Sequence, residues 1–203
     1  MTVHRMQKGS RTWFTVHEPD WAVRQWAEVL LRRGCRRVLD VGCGSGRHTV
    51  LLARMGLTVV AGDLCPLALG EAEQWLAQEG LQAGLVLLDM VDLPFPDGAF
   101  DAVLSVNVLH PAYPEQARAA VGEAWRVLQP GGLLLAVLAD AGDCRCLLER
   151  SAEPSLRQPS SPRPVARGHL EGLFAGFHIV GTQRQPRKQT AVNWRVWAER
   201  PGL

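Results

Sequence analysis

Three aspartates have the type and spacing needed for ligand chemistry, because each follows a short apolar run that is typical of a buried strand. They are Asp40, Asp63 and Asp89. Open α/β sheets bind ligands beyond the carboxyl ends of their strands, so we expect the three carboxylates to converge on one edge of a sheet. A single acid after a strand is more often a helix cap or a turn residue. Three aspartates at three consecutive strand ends instead predict a ligand site. In it, Asp63 would accept hydrogen bonds from ribose hydroxyls, and Asp89 would accept one from an adenine amino group.

A glycine-rich loop from Gly42 to Gly46 has the spacing G-x-G-x-G and lies between a predicted strand and a predicted helix. Glycines let the backbone turn tightly and approach a ligand closely, and the helix N-terminus offers free N–H groups. The dinucleotide fingerprint has a different spacing, G-x-G-x-x-G. Asp40, just before the loop, would also repel a pyrophosphate. The loop is therefore expected to bind a ligand with an ammonium group, such as the amino-acid part of S-adenosylmethionine (SAM).

The elements that must position these residues alternate along the chain. Apolar runs of strand length lie at residues 36–41, 57–62, 84–88, 100–106 and 133–138. Helical periodicity covers residues 21–31, 48–55, 66–80 and 115–128. Asp20 is a plausible N-cap of the first helix, whereas Arg47 and His48 are expected on an exposed first turn of the second. Strands alternating with helices predict a doubly wound, largely parallel sheet.

The C-terminal part follows a different pattern. Prolines within 140–168 predict a loop, and a short helix is expected at 170–174. Two strand-like runs, 177–184 and 191–200, are joined by a polar turn and predict an antiparallel hairpin that extends the sheet.

The whole chain is expected to form a single domain of 203 residues. Within it we expect an N-terminal helical cover over 1–34, a cofactor-binding core over 35–139, a loop over 140–168, and a C-terminal helix and hairpin over 169–203. Residues 1–20 and the 140–168 loop are expected to cover the acceptor side of the site.

Composition excludes several classes of protein. The net charge is +2, from 22 Lys and Arg against 20 Asp and Glu, which is too balanced to predict a DNA partner. No apolar run reaches the ~18 residues of a membrane span, and the polar N-terminus predicts no secretory signal, so a cytoplasmic location is expected. Five irregularly placed cysteines predict no disulfide framework. The oligomeric state is left open.

Four segments of this sequence resemble the five motifs of the class I SAM-dependent methyltransferases, over about residues 36 to 139. They are VLDVGCGSGRHTVLLARMG, VVAGDLCPLALGEAE, LLDMVDLPFPDGAFDAVLSVNVLHP and EAWRVLQPGGLLLAVLA. The resemblance implies a Rossmann-like α/β fold, a mostly parallel sheet with the C-terminal antiparallel hairpin, and SAM as the cofactor.

The resemblance also implies a role for each binding residue. The backbones of Gly42 and Gly44 would contact the methionine part of SAM, Asp40 would help to hold its ammonium, and Asn107 would line the floor near the sulfonium.

For the nucleoside, Asp63 would bind the ribose and Leu64 would pack on the base. Asp89 would bind the adenine amino group, and the backbone of Met90 would meet the adenine ring.

Catalysis by such a protein consists mainly of placing a nucleophile in line with the activated methyl group. For a thiol, amine or carbanion acceptor a base is dispensable, whereas a hydroxyl acceptor must lose its proton to a base. His110 and Tyr113 are the predicted catalytic residues, and His169 is a third candidate for the base; an ordinary surface or capping role remains open for each.

The favoured function is methyl transfer to a small-molecule acceptor. A protein or RNA methyltransferase and a non-catalytic SAM-binding protein remain as alternatives. Asn107 is followed by Val108, Leu109 and His110, so the Asn/Asp-Pro-Pro-Tyr/Phe run of nucleic-acid amino-methyltransferases is absent. Cys144 and Cys146 fall short of a metalloid site, and no metal is expected.

Overall fold

The computed structural model describes residues 18–109, 114–138, 167–186 and 192–202. Its strands are β1 (Arg37–Val41), β2 (Thr58–Asp63), β3 (Gly84–Leu87), β4 (Phe100–Val106), β5 (Leu128–Leu138), β6 (His178–Pro186) and β7 (Val192–Glu199). Its helices are α1 (Trp21–Arg32), α2 (Arg47–Arg54), α3 (Pro66–Gln78), α4 (Pro114–Val127) and α5 (Arg167–Leu173). No helix within these ranges is long and apolar enough to cross a membrane.

The strands form one sheet with the order β3-β2-β1-β4-β5-β7-β6. The first five run parallel, and β7 pairs antiparallel with both β5 and β6. This confirms the predicted α/β fold with a mostly parallel sheet and a C-terminal hairpin. The last strand in the chain is inserted beside β5, and β6 forms the edge.

The predicted start of the fifth strand was wrong by five residues. β5 begins at Leu128, directly after α4, instead of at Leu133. The glycines that follow Pro130 do not end the strand, because Gly131 N–H donates to the Arg200 carbonyl (2.9 Å) and Arg200 N–H donates back to the Gly132 carbonyl (2.9 Å). The chain beyond β7 thus pairs with this stretch and keeps it extended.

Each face of the sheet buries an apolar cluster. On one face α1 and α2 cover a cluster that includes Trp26, Leu30 and Leu52. On the other face α4 and α5 cover a cluster that includes Phe100 and Phe174. Because the core fixes both helix layers, the carboxyl ends of the parallel strands are left as the edge at which loops and helix N-termini meet.

Candidate functional site

The glycine loop lies where the sequence places it, between β1 and α2. The N–H groups of Gly42 and Cys43 donate to the Gly62 carbonyl at 2.8 and 3.0 Å, which ties the loop to the end of β2. Gly42 and Gly44 adopt φ angles of +71° and +55°, in the left-handed region that favours glycine. A Cβ on Gly42 would lie 2.2 Å from a methyl of Val108, whereas one on Gly44 would meet nothing within 4 Å. The Gly44 side of the loop is therefore open to a ligand.

Asp63 joins the loop to the start of α3. One carboxylate oxygen accepts the Gly44 N–H and the other accepts the Cys65 N–H, each at 2.9 Å. A carboxylate offers about four lone-pair positions, so two remain for a pair of ribose hydroxyls. The next side chain, Leu64, is 65% exposed and offers an apolar surface beside that carboxylate. Both predicted nucleoside contacts are thus sterically available.

Asp40 lies beneath the loop. Its carboxyl group is 1% exposed and accepts a hydrogen bond from the Thr49 hydroxyl at 2.7 Å. Burial raises the pKa of Asp40 to about 6, although the Thr49 hydrogen bond and the charge of Arg47 oppose that rise. The carboxyl group thereby anchors the first turn of α2 beneath the glycine loop.

Asp89 and Met90 follow the end of β3. Asp89 is exposed and its carboxylate accepts the Val91 N–H at 3.1 Å, which holds it in a turn next to the end of β2. Met90 is partly buried against the core on the α4 face. The two predicted adenine contacts therefore lie on the same edge as Asp63.

Asn107 directly follows β4. Its φ angle of +61° makes it the one residue other than glycine with a positive φ among those described, a strained conformation that is common at functional sites. Its N–H donates to the Val137 carbonyl at 2.7 Å. Its side-chain oxygen is buried and has no hydrogen-bond partner in the described part of the chain. An unpartnered oxygen beside the loop fits the floor of a polar ligand site.

These residues fit the cofactor that the motifs predict. The open side of Gly44, the remaining lone pairs of Asp63 and the exposed Leu64 match an amino acid, a ribose and a base. Ligand contacts at all eight predicted positions remain predictions.

The predicted catalytic pair, His110 and Tyr113, lies outside the described residues, as do Cys144 and Cys146. Residues 1–17 and 139–166, which make up most of the predicted acceptor-side cover, lie outside them too. His169 is exposed on α5, which packs on the α4 face of the sheet.

Sequence reasoning missed a buried polar cluster formed by Asp20, His48 and Arg195. Arg195 is 3% exposed, and its Nη2 and Nε donate to the two oxygens of Asp20 at 2.8 and 3.3 Å. Burial alone would raise the pKa of Asp20, but the hydrogen bond and charge of Arg195 hold it below the ordinary value. The one signal of this cluster in the sequence was Arg195, a charged residue inside the apolar pattern of the predicted strand 191–200.

The expectation that His48 is exposed was wrong. Its side chain is buried, and its Nε2 accepts the Asp20 N–H at 3.2 Å, because the N-terminus of α1 covers the first turn of α2. Burial, with the charge of Arg47, lowers the pKa of His48 to about 3. The imidazole is therefore neutral at physiological pH.

Comparison with known proteins gives a family match over the core. Residues 39–136 match a family model described as a methyltransferase domain. An uncharacterized methyltransferase of Synechocystis is 41% identical over 102 residues, which are 50% of this chain and 46% of that protein. The demethylmenaquinone methyltransferase of Thermus thermophilus is 36% identical over 115 residues, which are 55% of this chain and 51% of that protein. The chain spans about half the length of these relatives.

Solved structures share the fold. Magnesium protoporphyrin IX methyltransferase from Synechocystis, solved with bound SAM, is 21% identical, with a TM-score of 0.65 over 88% of this chain and 78% of that one. A SAM-dependent methyltransferase from Methanosarcina mazei is 20% identical, with a TM-score of 0.66 over 82% of this chain and 93% of that one. At these identities the likeness concerns the fold alone.

Proposed function

We propose that the chain is a class I SAM-dependent methyltransferase, because residues 39–136 match a methyltransferase domain, and that it transfers a methyl group from SAM to a small-molecule acceptor. The observation that carries the proposal is the Asp63 carboxylate. It is held by the Gly44 and Cys65 N–H groups at the carboxyl edge of the sheet, with lone pairs left for a ribose.

SAM supplies a methyl group already activated on a cationic sulfur. The chain's own residues bind and orient. The Gly44 side of the loop receives the methionine part, Asp63 and Leu64 receive the nucleoside, and the strained Asn107 lies at the floor. Holding donor and acceptor in line can supply on the order of 7–11 kcal/mol of the reduction in the barrier.

The acceptor's chemistry decides whether a base takes part. A thiolate, a neutral amine or a carbanion already has the attacking electron pair, so orientation is sufficient. For a hydroxyl acceptor, we propose His110 or Tyr113 as the group that takes the proton, because both follow β4 within six residues of Asn107.

A binding measurement and a turnover screen together test the proposal. We expect titration calorimetry to show binding of both SAM and S-adenosylhomocysteine (SAH). Radiolabelled SAM should then label a member of a panel of small thiols, amines and phenols, and should label neither total RNA nor total protein. Absence of heat and of a thermal shift at millimolar SAH would overturn the cofactor assignment. Labelling of RNA or protein alone would overturn the small-molecule acceptor.

A further inference from the structure

Two polar side chains of β7, Asn193 and Arg195, lie at the same edge of the sheet as the end of β4, with β5 between the two strands. Arg195 pairs with Val137 of β5, whose carbonyl accepts the Asn107 N–H at 2.7 Å. Arg195 is therefore in the same row across the sheet as the end of β4. The proposed function places the methyl donor over this edge, so β7 lies on the side from which an acceptor must approach.

The face of the sheet follows from the alternation of side chains along β7. Trp194 and Val196 pack into the core on the α4 face. Asn193 and Arg195 therefore point to the opposite face, where α1 begins. The Asp20–Arg195 ion pair agrees with that direction.

Both side chains are buried with an unsatisfied atom. Arg195 is 3% exposed and Asn193 is 6% exposed. Asp20 occupies Nε and Nη2 of the guanidinium, whereas Arg195 Nη1 and Asn193 Oδ1 have no partner in the described part of the chain. An unsatisfied buried polar group is destabilising, so two of them two residues apart on one face call for a ligand.

The chemistry of that ligand follows from the free atoms. Arg195 Nη1 can only donate, so its partner is an oxygen acceptor. Asp20 already neutralises the guanidinium, which means that the partner need not be charged. The amide of Asn193 can present either its oxygen or its NH₂ group, and it suits a second polar atom beside that oxygen.

We propose that Arg195 and Asn193 recognise a carbonyl or carboxylate oxygen on the methyl acceptor. This inference rests on the proposed function and names the substrate class of the same site. Arg195 and Asn193 act in binding and are not assigned a step in the transfer itself.

The test uses matched probes on the full chain saturated with SAH. The pairs are hexanoate with hexanol, benzoate with benzyl alcohol, and acetophenone with 1-phenylethanol. We expect the carbonyl or carboxylate member of at least one pair to raise the Tm of the wild-type complex while its alcohol does not. A complex stabilised by none of the probes, or equally by both members of every pair, would overturn the proposal.

Variants then locate the contact. Arg195→Lys keeps a positive charge for Asp20 but lacks the guanidinium Nη1 group that would contact the acceptor. Asn193→Ala removes the side-chain amide. Each should weaken the best probe at least tenfold while the Kd for SAH stays within twofold of wild type. Arg184→Lys, at an exposed arginine of β6, is the matched control and should change neither value.

Wild-type affinity for the best probe in both variants would overturn the proposal, and if Arg195→Lys does not fold, Asn193→Ala decides alone. Failure of the proposed function is visible separately, as a lack of SAH binding by the wild type.

Discussion

Two halves of the sheet edge are built in different ways. The cofactor half, at the ends of β1, β2 and β3, holds its ligand groups through bonds between neighbouring segments, such as Asp63 to the Gly44 N–H. The proposed acceptor half, at the ends of β4 and β5 and the start of β7, depends on the Asp20–Arg195 pair, which joins residues 175 positions apart. The cofactor half uses backbone groups of neighbouring segments, so it tolerates substitutions elsewhere in the chain. The acceptor half can vary only if the segments that carry Asp20 and Arg195 are substituted together.

Asp63→Ala is expected to have the largest effect, and it acts on the cofactor half. Hydrogen bonds to a charged group contribute about 1.5–3 kcal/mol each, so losing two overlapping ribose bonds should weaken SAH binding by roughly 2–4 kcal/mol. Calorimetry measures the change. Asp92→Ala, an acid on the same edge with no proposed ligand contact, is the control. If Asp63→Ala binds SAH as tightly as wild type, the ribose assignment is wrong.

A pH series separates the two halves by the sign of their effect on stability. The folded-state pKa of Asp40 is raised from 3.8 to about 6, so its contribution to stability is fully present below pH ~4 and is lost as pH rises through ~6. Relative to wild type, Asp40→Asn should therefore gain up to about 3 kcal/mol of unfolding free energy between pH 4 and 7.

His48, which contacts Asp20 of the Asp20–Arg195 pair, provides the opposite sign. Its pKa is lowered from 6.5 to about 3, so its contribution is present above pH ~6.5 and is lost as pH falls. Denaturant unfolding of wild type, Asp40→Asn and His48→Gln at several pH values measures both slopes. If the difference in unfolding free energy between Asp40→Asn and wild type does not change with pH, Asp40 is not a buried carboxyl group that titrates in this range.

The smallest expected effect is that of Gly44→Ala. A Cβ there meets nothing within 4 Å, so the cost is the left-handed backbone, about 1–2 kcal/mol. Gly42→Ala adds a clash with Val108 and should cost more. Thermal unfolding ranks the two variants. Equal losses would show that Val108 moves aside. A loss of SAH affinity in Gly44→Ala, measured at a temperature at which the variant is fully folded, would show that the ligand fills the open side.

The cofactor half was predictable because its signals are short-range. Glycine spacing and an acid at the end of an apolar run depend on fewer than ten residues, and both Gly42 and Asp63 lie where the sequence places them. The burial of His48 depends on the N-terminus of α1, and the Asp20–Arg195 pair depends on which strand lies beside β5. The hairpin itself was predictable from the two strand-like runs and the polar turn between them. The order of β6 and β7 in the sheet was not predictable, because either strand could have paired with β5.

The position of β7 has a consequence for how the molecule is made. The ribosome delivers β6 before β7, yet β7 occupies the slot between β5 and β6. Until residue 199 has emerged, β5 therefore remains an open, apolar edge, the kind of edge that recruits other chains. The parallel strands can assemble earlier, since domains form from the N-terminal side during synthesis. Folding of this chain should thus end with the hairpin, and the time between the two events is when the molecule is most exposed to aggregation.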